Sequence, residues 1–243
     1  MSSLALKLIA VVTMVIDHAG YALAPMMPEP LASLAPAMRL VGRLAMPLFC
    51  FLIAEGYFHT RSPHRYFARL SLFALLSEVP YDLLFLRTPL EFSSQNVFFT
   101  LALALAAIWL YDRFEARGLP VASLLSLLVC AALCELLRSD YGAIGVLFTF
   151  VFYRFRGQPT ARNVAFLAAD AVFFLYALFS RGYPSQWSFF LACAAFALIP
   201  ISLYNGEKGD TGRHGRFWQL FFYAFYPAHL LLFSLLAVLR PRF

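Results

Sequence analysis

Apolar runs about as long as a bilayer is thick recur through this chain, and they leave it few folds. "FFTLALALAAIWL", residues 98–110, is one such stretch. A helical span needs about 20 predominantly apolar residues. Comparable stretches lie near 4–24, 38–56, 67–86, 96–111, 119–137, 141–154, 163–180, 186–204 and 219–239, separated by short polar breaks. Of the 243 residues, 62% are hydrophobic and only 13% charged, with a mean hydropathy of +0.73, whereas soluble domains hold about 25% charged residues. The pattern predicts an all-α protein, a polytopic transmembrane helical bundle of about nine spans, between about eight and ten. It excludes a soluble core. The short sixth segment is expected to be re-entrant or shielded by its neighbours. Without a long linker, low-complexity block or tandem repeat, 1–243 reads as one membrane domain.

Basic residues set the expected orientation. Twelve, from Lys7 to Arg216, fall on the side that carries the N-terminus. Seven (Arg39, Arg43, Arg87, Arg138, Arg181, Arg240 and Arg242) fall on the other, which predicts a cytoplasmic N-terminus. The net charge of +6 follows from these scattered loop cations, so no nucleic-acid partner is expected. A cleaved signal peptide ending at "ALA", 22–24, is disfavoured because Asp17 and His18 interrupt its apolar region. Cys50, Cys130, Cys134 and Cys193 sit in apolar runs without disulfide or zinc spacing, and read as small core residues.

The residues that ask for an explanation are the polar ones inside spans, because a charge near mid-bilayer costs at least about 2.5 kcal/mol on insertion scales. Counted at 1.5 Å per residue, His18 stands roughly 20 Å up the first helix, level with Asp82 on the third, with Glu78 one turn lower on the same face. Arg43 reaches a similar level from the outer side, and Glu135, Asn96 and Asp140 complete an outer polar layer. Arg39 and Arg43 share a face at i,i+4, suited to an anion or to carboxylates. Asp17 lies about 100° around the helix from His18, so Asp82 or Glu78 is the expected partner of the imidazole. Lys7 and His18, eleven residues apart, fall on nearly the same face, roughly 16 Å apart in height. That suits a donor whose anionic end stays inside while its reactive end reaches up. The glycine-rich basic loop "YNGEKGDTGRHGR", 204–216, fits neither a P-loop nor a dinucleotide fingerprint.

Several segments together resemble the TraX family of bacterial inner-membrane proteins: "LKLIAVVTMVIDHAGY" (6–21), "MRLVGRLAMPLFCFLIAEGYFHTRS" (38–62), "RLSLFALLSEVPYDL" (69–83), "QNVFFTLALAL" (95–105), "DYGAIGVL" (140–147), "YNGEKG" (204–209) and "FFYAFYPAHLLLF" (221–233). The resemblance covers nearly the whole chain. It implies a link to N-acetylation of conjugative pilin and a remote similarity to membrane acyltransferases that draw on cytoplasmic acyl-CoA. In that larger group a basic residue, ten intervening positions and a histidine mark the first helix. Lys7 and His18 match the spacing, with lysine where arginine is commoner and fewer spans than the group's usual ten.

The resemblance therefore implies acetyl-CoA as donor and His18 as catalytic base. The expected assignment places the donor's phosphates near Lys7, Arg69, Asn205, Lys208 and Arg213. Asp82 or Glu78 would orient His18, and Arg43 or Asn96 would steady a developing oxyanion. Asp17, Arg39, Asn96 and Asp140 are candidates to hold an acceptor, a pilin amine or an envelope glycan hydroxyl. No metal is expected. Two alternatives stay open: an ion-coupled transporter, whose relay also uses intramembrane Asp, Glu and His, and a non-catalytic pilus or envelope assembly factor.

Overall fold

A computed structural model describes residues 1–181, 193–209 and 215–238. Among them the chain forms helices and no strands, with an isolated bridge between Gln95 and Ser139. The helices are α1 (Ser3–Ala22), α2 (Glu29–Ala32), α3 (Ala35–Gly42), α4 (Ala45–His59), α5 (Pro63–Phe85), α6 (Val97–Glu115), α7 (Pro120–Leu136), α8 (Gly142–Arg154), α9 (Pro159–Arg181), α10 (Leu198–Ser202) and α11 (Gly215–Val238). By length and apolarity, Ser3–Ala22, Glu29–His59, Val97–Glu115 and Phe217–Ala237 can each cross a membrane, and Pro120–Leu136, Gly142–Arg154 and Cys193–Ser202 are shorter apolar stretches. This is a multi-pass helical membrane protein.

Local chemistry sets the helix starts. Ser2 caps α1 by accepting from the Ala5 N–H at 3.3 Å, and the Asn96 side chain caps α6 by accepting from Phe98 N–H at 3.0 Å. Proline, whose missing N–H costs nothing in a first turn, opens α5, α7 and α9. At α8 the Glu135 carboxylate accepts from Ala143 N–H at 2.7 Å, where the positive end of the helix dipole favours an anion.

The predicted span 38–56 is not one continuous helix. Its chain stops at Gly42 and restarts at Ala45. Pro47 is the cause: inside a continuous helix its ring would meet the carbonyl of Arg43, four residues back, whereas in the first turn of α4 it is tolerated. Part of the predicted span 186–204 lies outside the described residues. The short α8 is shielded, with Ile144, Val146, Phe148, Val151 and Phe152 buried.

The core lies between α4, α6 and α8, where Leu48, Leu105, Ile108 and Phe152 are fully buried. Gly145 lets α8 approach closely, since a Cβ there would fall 2.4 Å from Thr100 Cγ2 and 2.6 Å from Met46 Cε. Next to this core, α1 packs on α3, α4 and α11, and α5 packs on α11. The first and last helices therefore stand side by side and run in the same direction. Segment 203–209 is bound to the start of α1: Ser3 N–H donates to the Glu207 carbonyl at 2.8 Å and Leu4 N–H to that of Lys208 at 3.1 Å. These bonds satisfy two of the orphan donors at the start of α1. Gly209, at φ +83°, is required there, because a Cβ would meet Ser2 Oγ at 2.5 Å.

Candidate functional site

One face of α1 carries Lys7, Val11, Met14 and His18, spaced by four, three and four residues. On α11 the corresponding face carries Trp218, Phe222, Tyr226 and His229. Between these faces, with α4, α5 and α6 completing the wall, lies a cavity of about 500 Å³. That is within the usual range of small-molecule sites, about 300–1,000 Å³. Its polar end holds Lys7, Lys208, Arg69, Glu55 and His59. Its inner end is closed by Met14, Phe98, Leu101 and Tyr226.

The polar end carries unbalanced positive charge. Glu55, its one carboxylate, is engaged by Arg156 at 2.8 Å and faces His59 at 3.6 Å. Among the described residues Lys7 and Lys208 make no ion pair, and Lys7 lies 5.5 Å from the centroid of the Phe222 ring. The Arg69 Nε is buried without a hydrogen-bond partner. Three cations on one cavity with a single committed acid repel one another, a repulsion that a bound anion would relieve.

Above the inner end stands His18, buried at 8% exposure. Tyr226 links it to the cavity: the Tyr226 ring lies 6.2 Å from the His18 ring, edge to face, and also lines the space below. Met14, one turn below His18, is the other barrier. The His18 Nδ1 lies 2.7 Å from the Nε2 of His229, and the two rings meet edge to edge and nearly coplanar, their planes 6° apart and their centroids 5.0 Å apart. His229 Nδ1 lies 2.8 Å from the Phe225 carbonyl. Phe85 packs its edge on His18 at 5.5 Å.

The predicted outer layer resolves into separate clusters. Asp17 receives two bonds of 3.0 Å from Arg43 and one of 3.0 Å from Arg39. Gly42 makes this possible, because a Cβ there would lie 2.2 Å from the Asp17 Cβ. Asn96, fully buried, donates to Ala74 O and to Glu78 Oε2, both at 2.7 Å, while its Oδ1 caps α6. It has no donor left for an oxyanion. Asp82 accepts from Glu91 N–H at 2.7 Å. Neither Asp82 nor Glu78 is the hydrogen-bond partner of His18, which corrects the expected orienting pair: a carboxylate on α5 was anticipated, and a histidine on α11 stands there instead. Asp140 sits in the loop before α8, its backbone N–H donating to Gln95 O at 2.8 Å. The next residue, Tyr141, adopts φ 66° and lies beneath the Arg43 guanidinium at 5.7 Å.

Of the expected donor-binding residues, Lys7, Arg69 and Lys208 share the cavity. Asn205 instead folds its own turn, its Nδ2 on Glu207 Oε2 at 2.9 Å. Arg213 lies outside the described residues. His229 was not among the predicted site residues, although a histidine in the middle of an apolar span is a functional candidate by its cost alone. The four cysteines are free and buried. Among the described residues no group of three metal-ligating side chains occurs.

A buried histidine pair set above a cation-lined cavity, inside a bundle of apolar helices, defines a class of multi-pass membrane protein with an internal site. The TraX protein family matches residues 2–237, and the chain belongs to that family. A protein of Dichelobacter nodosus described as a probable fimbrial assembly protein FimC, serogroup H1, is 31% identical over 245 residues, covering 95% of this chain and 93% of the relative. No solved structure matches significantly.

Proposed function

We propose that the protein is an integral membrane acetyltransferase that moves an acetyl group from cytoplasmic acetyl-CoA to an acceptor amine or hydroxyl, a pilin N-terminus or an envelope glycan, in the bacterial inner membrane. The observation that carries this reading is the continuity from unbalanced cations at Lys7, Lys208 and Arg69, through one cavity, to a buried imidazole beyond its inner end. The cations suit the phosphates of the donor, and the rings of Trp218, Phe222 and Tyr223 offer stacking surface for its adenine. Acetyl-CoA supplies an activated acetyl group as a thioester. His18 takes the proton of the acceptor as its nitrogen or oxygen attacks, and returns that proton to the leaving sulfur. Met14 is flexible and can rotate aside to join cavity and imidazole. The N-terminus, the 203–209 segment and the cavity's polar end then face the cytoplasm.

A second reading, a non-catalytic assembly factor, is favoured by the name of the fimbrial relative. Turnover separates the two. Purified protein is expected to release coenzyme A from acetyl-CoA, and His18→Ala to reduce the rate about 10²–10⁴-fold, the usual contribution of general base catalysis. Full activity in a folded His18→Ala variant would overturn the role of His18. Absence of both turnover and coenzyme A binding in the parent protein would favour the assembly factor.

A further inference from the structure

Two histidines that meet across 211 positions of sequence, deep in a membrane protein, impose a fixed order on their protons. The Phe225 carbonyl only accepts, so His229 Nδ1, at 2.8 Å, carries a hydrogen and donates it. In a neutral imidazole the other nitrogen is then bare, which makes His229 Nε2 an acceptor. It faces His18 Nδ1 at 2.7 Å. Two bare nitrogens at that distance would oppose their lone pairs, and two protonated ones would collide. A single proton therefore sits between the rings, on His18 Nδ1.

We propose that His229 is the positioning residue of the site: by accepting the His18 Nδ1–H it fixes the tautomer in which His18 Nε2 holds the lone pair. This rests on the reading of His18 as the base. The two ring planes agree within 6°, so the Nδ1–H points along the in-plane lone pair of His229 Nε2, and the edge contact of Phe85 helps to hold that orientation. In many sites a carboxylate fills this place, and it stabilises the imidazolium by charge. Here the partner is neutral, and its role is geometric and protonic. When His18 Nε2 gains the acceptor's proton, the Nδ1 proton can pass to His229 Nε2, whose own Nδ1–H stays on Phe225. The pair holds one extra proton and releases it to the sulfur as the carbon–sulfur bond breaks. The new carbon–nitrogen or carbon–oxygen bond replaces that bond, so atoms and protons balance.

The test uses the full chain in detergent or bilayers, with ¹⁵N-labelled histidine and acetyl-CoA as the probe. Nitrogen NMR is expected to show His18 as the Nδ1–H tautomer in the parent protein and in His229→Gln, whose Oε1 takes the place of Nε2. In His229→Leu the two tautomers should mix, and kcat should fall on the order of 10²-fold with the donor KM within about threefold. His229→Gln should keep kcat within about tenfold of the parent. His229→Asn, which reproduces only the Nδ1 side of the ring, should behave like leucine. An Nε2–H tautomer for His18 in the parent, or parental kcat in His229→Leu, would overturn the inference. If the leucine variant does not fold, the parent spectrum and the glutamine–asparagine contrast decide. Loss of activity in His18→Ala alongside full activity in His229→Leu removes only the positioning role, whereas full activity in His18→Ala removes the base itself.

Discussion

Asp17 and His18 are adjacent in sequence and separate in role. A helix turns about 100° per residue, so the two side chains leave α1 towards different neighbours. Asp17 meets Arg39 and Arg43 and is 7% exposed. Removing one partner of a buried ion pair leaves an uncompensated charge, at a cost of about 3–5 kcal/mol. Asp17→Asn is therefore expected to lower the thermal unfolding midpoint in detergent sharply, and an unchanged midpoint would refute that structural role. The kinship of Lys7 and His18 is legible from the sequence, because it needs only the helical period. The partner of Asp17 is not, because it depends on α3 crossing α1, and crossing is set by Gly42 and Gly20, where a Cβ would lie 2.2 Å from Asp17 Cβ and 2.8 Å from Met38 Cβ. His229 is hidden for the same reason, since only the parallel packing of α11 on α1 brings it to His18. Asn96 differs: a capping asparagine ahead of the apolar run "VFFTLALAL" can be recognised in sequence.

At the scale of elements, the junction between α7 and α8 shows how a loop is held at the end of the bundle opposite the N-terminus. The 94–96 and 138–141 segments bind each other through Gln95 N–H to Arg138 O at 3.2 Å and Ser94 Oγ–H to Arg138 O at 3.3 Å. Burial pushes the Asp140 carboxyl in this junction up from 3.8 to about 6, against the pull of Arg43. A carboxyl whose folded-state pKa is raised holds its proton more tightly in the folded chain. Its contribution to stability is therefore full below about pH 4 and lost as the pH rises through about 6. Asp140→Asn cannot ionise and should remove that part of the decline. Unfolding curves collected from about pH 4 to about pH 7 check it, and slopes identical to the parent's would speak against it. The break between α3 and α4 belongs to the same scale. Pro47 announces it in the sequence, but a hydropathy window averages over it and reports one span.

At the scale of the whole molecule, the cavity gathers its cations from distant parts of the chain: Lys7 from α1, Arg69 from α5 and Lys208 from the segment before α11. If they hold the donor's phosphates, Lys7→Ala and Lys208→Ala should each raise the acetyl-CoA KM several-fold with kcat little changed, and added salt should narrow the difference. A donor KM indifferent to both substitutions and to salt would exclude these lysines from binding. The all-helical bundle was legible in the sequence because lipid forces backbone groups to pair within each segment. The cavity was not, because it is the space left between faces and no single face encodes it. The packing of α11 on α1 also sets a timetable. Residues 1–181 are made before His229, Lys208 or the carbonyls that cap α1 leave the ribosome. Until then the nascent membrane protein has neither a completed cavity nor His229 beside His18, so any activity that needs both would have to wait until α11 is inserted beside α1.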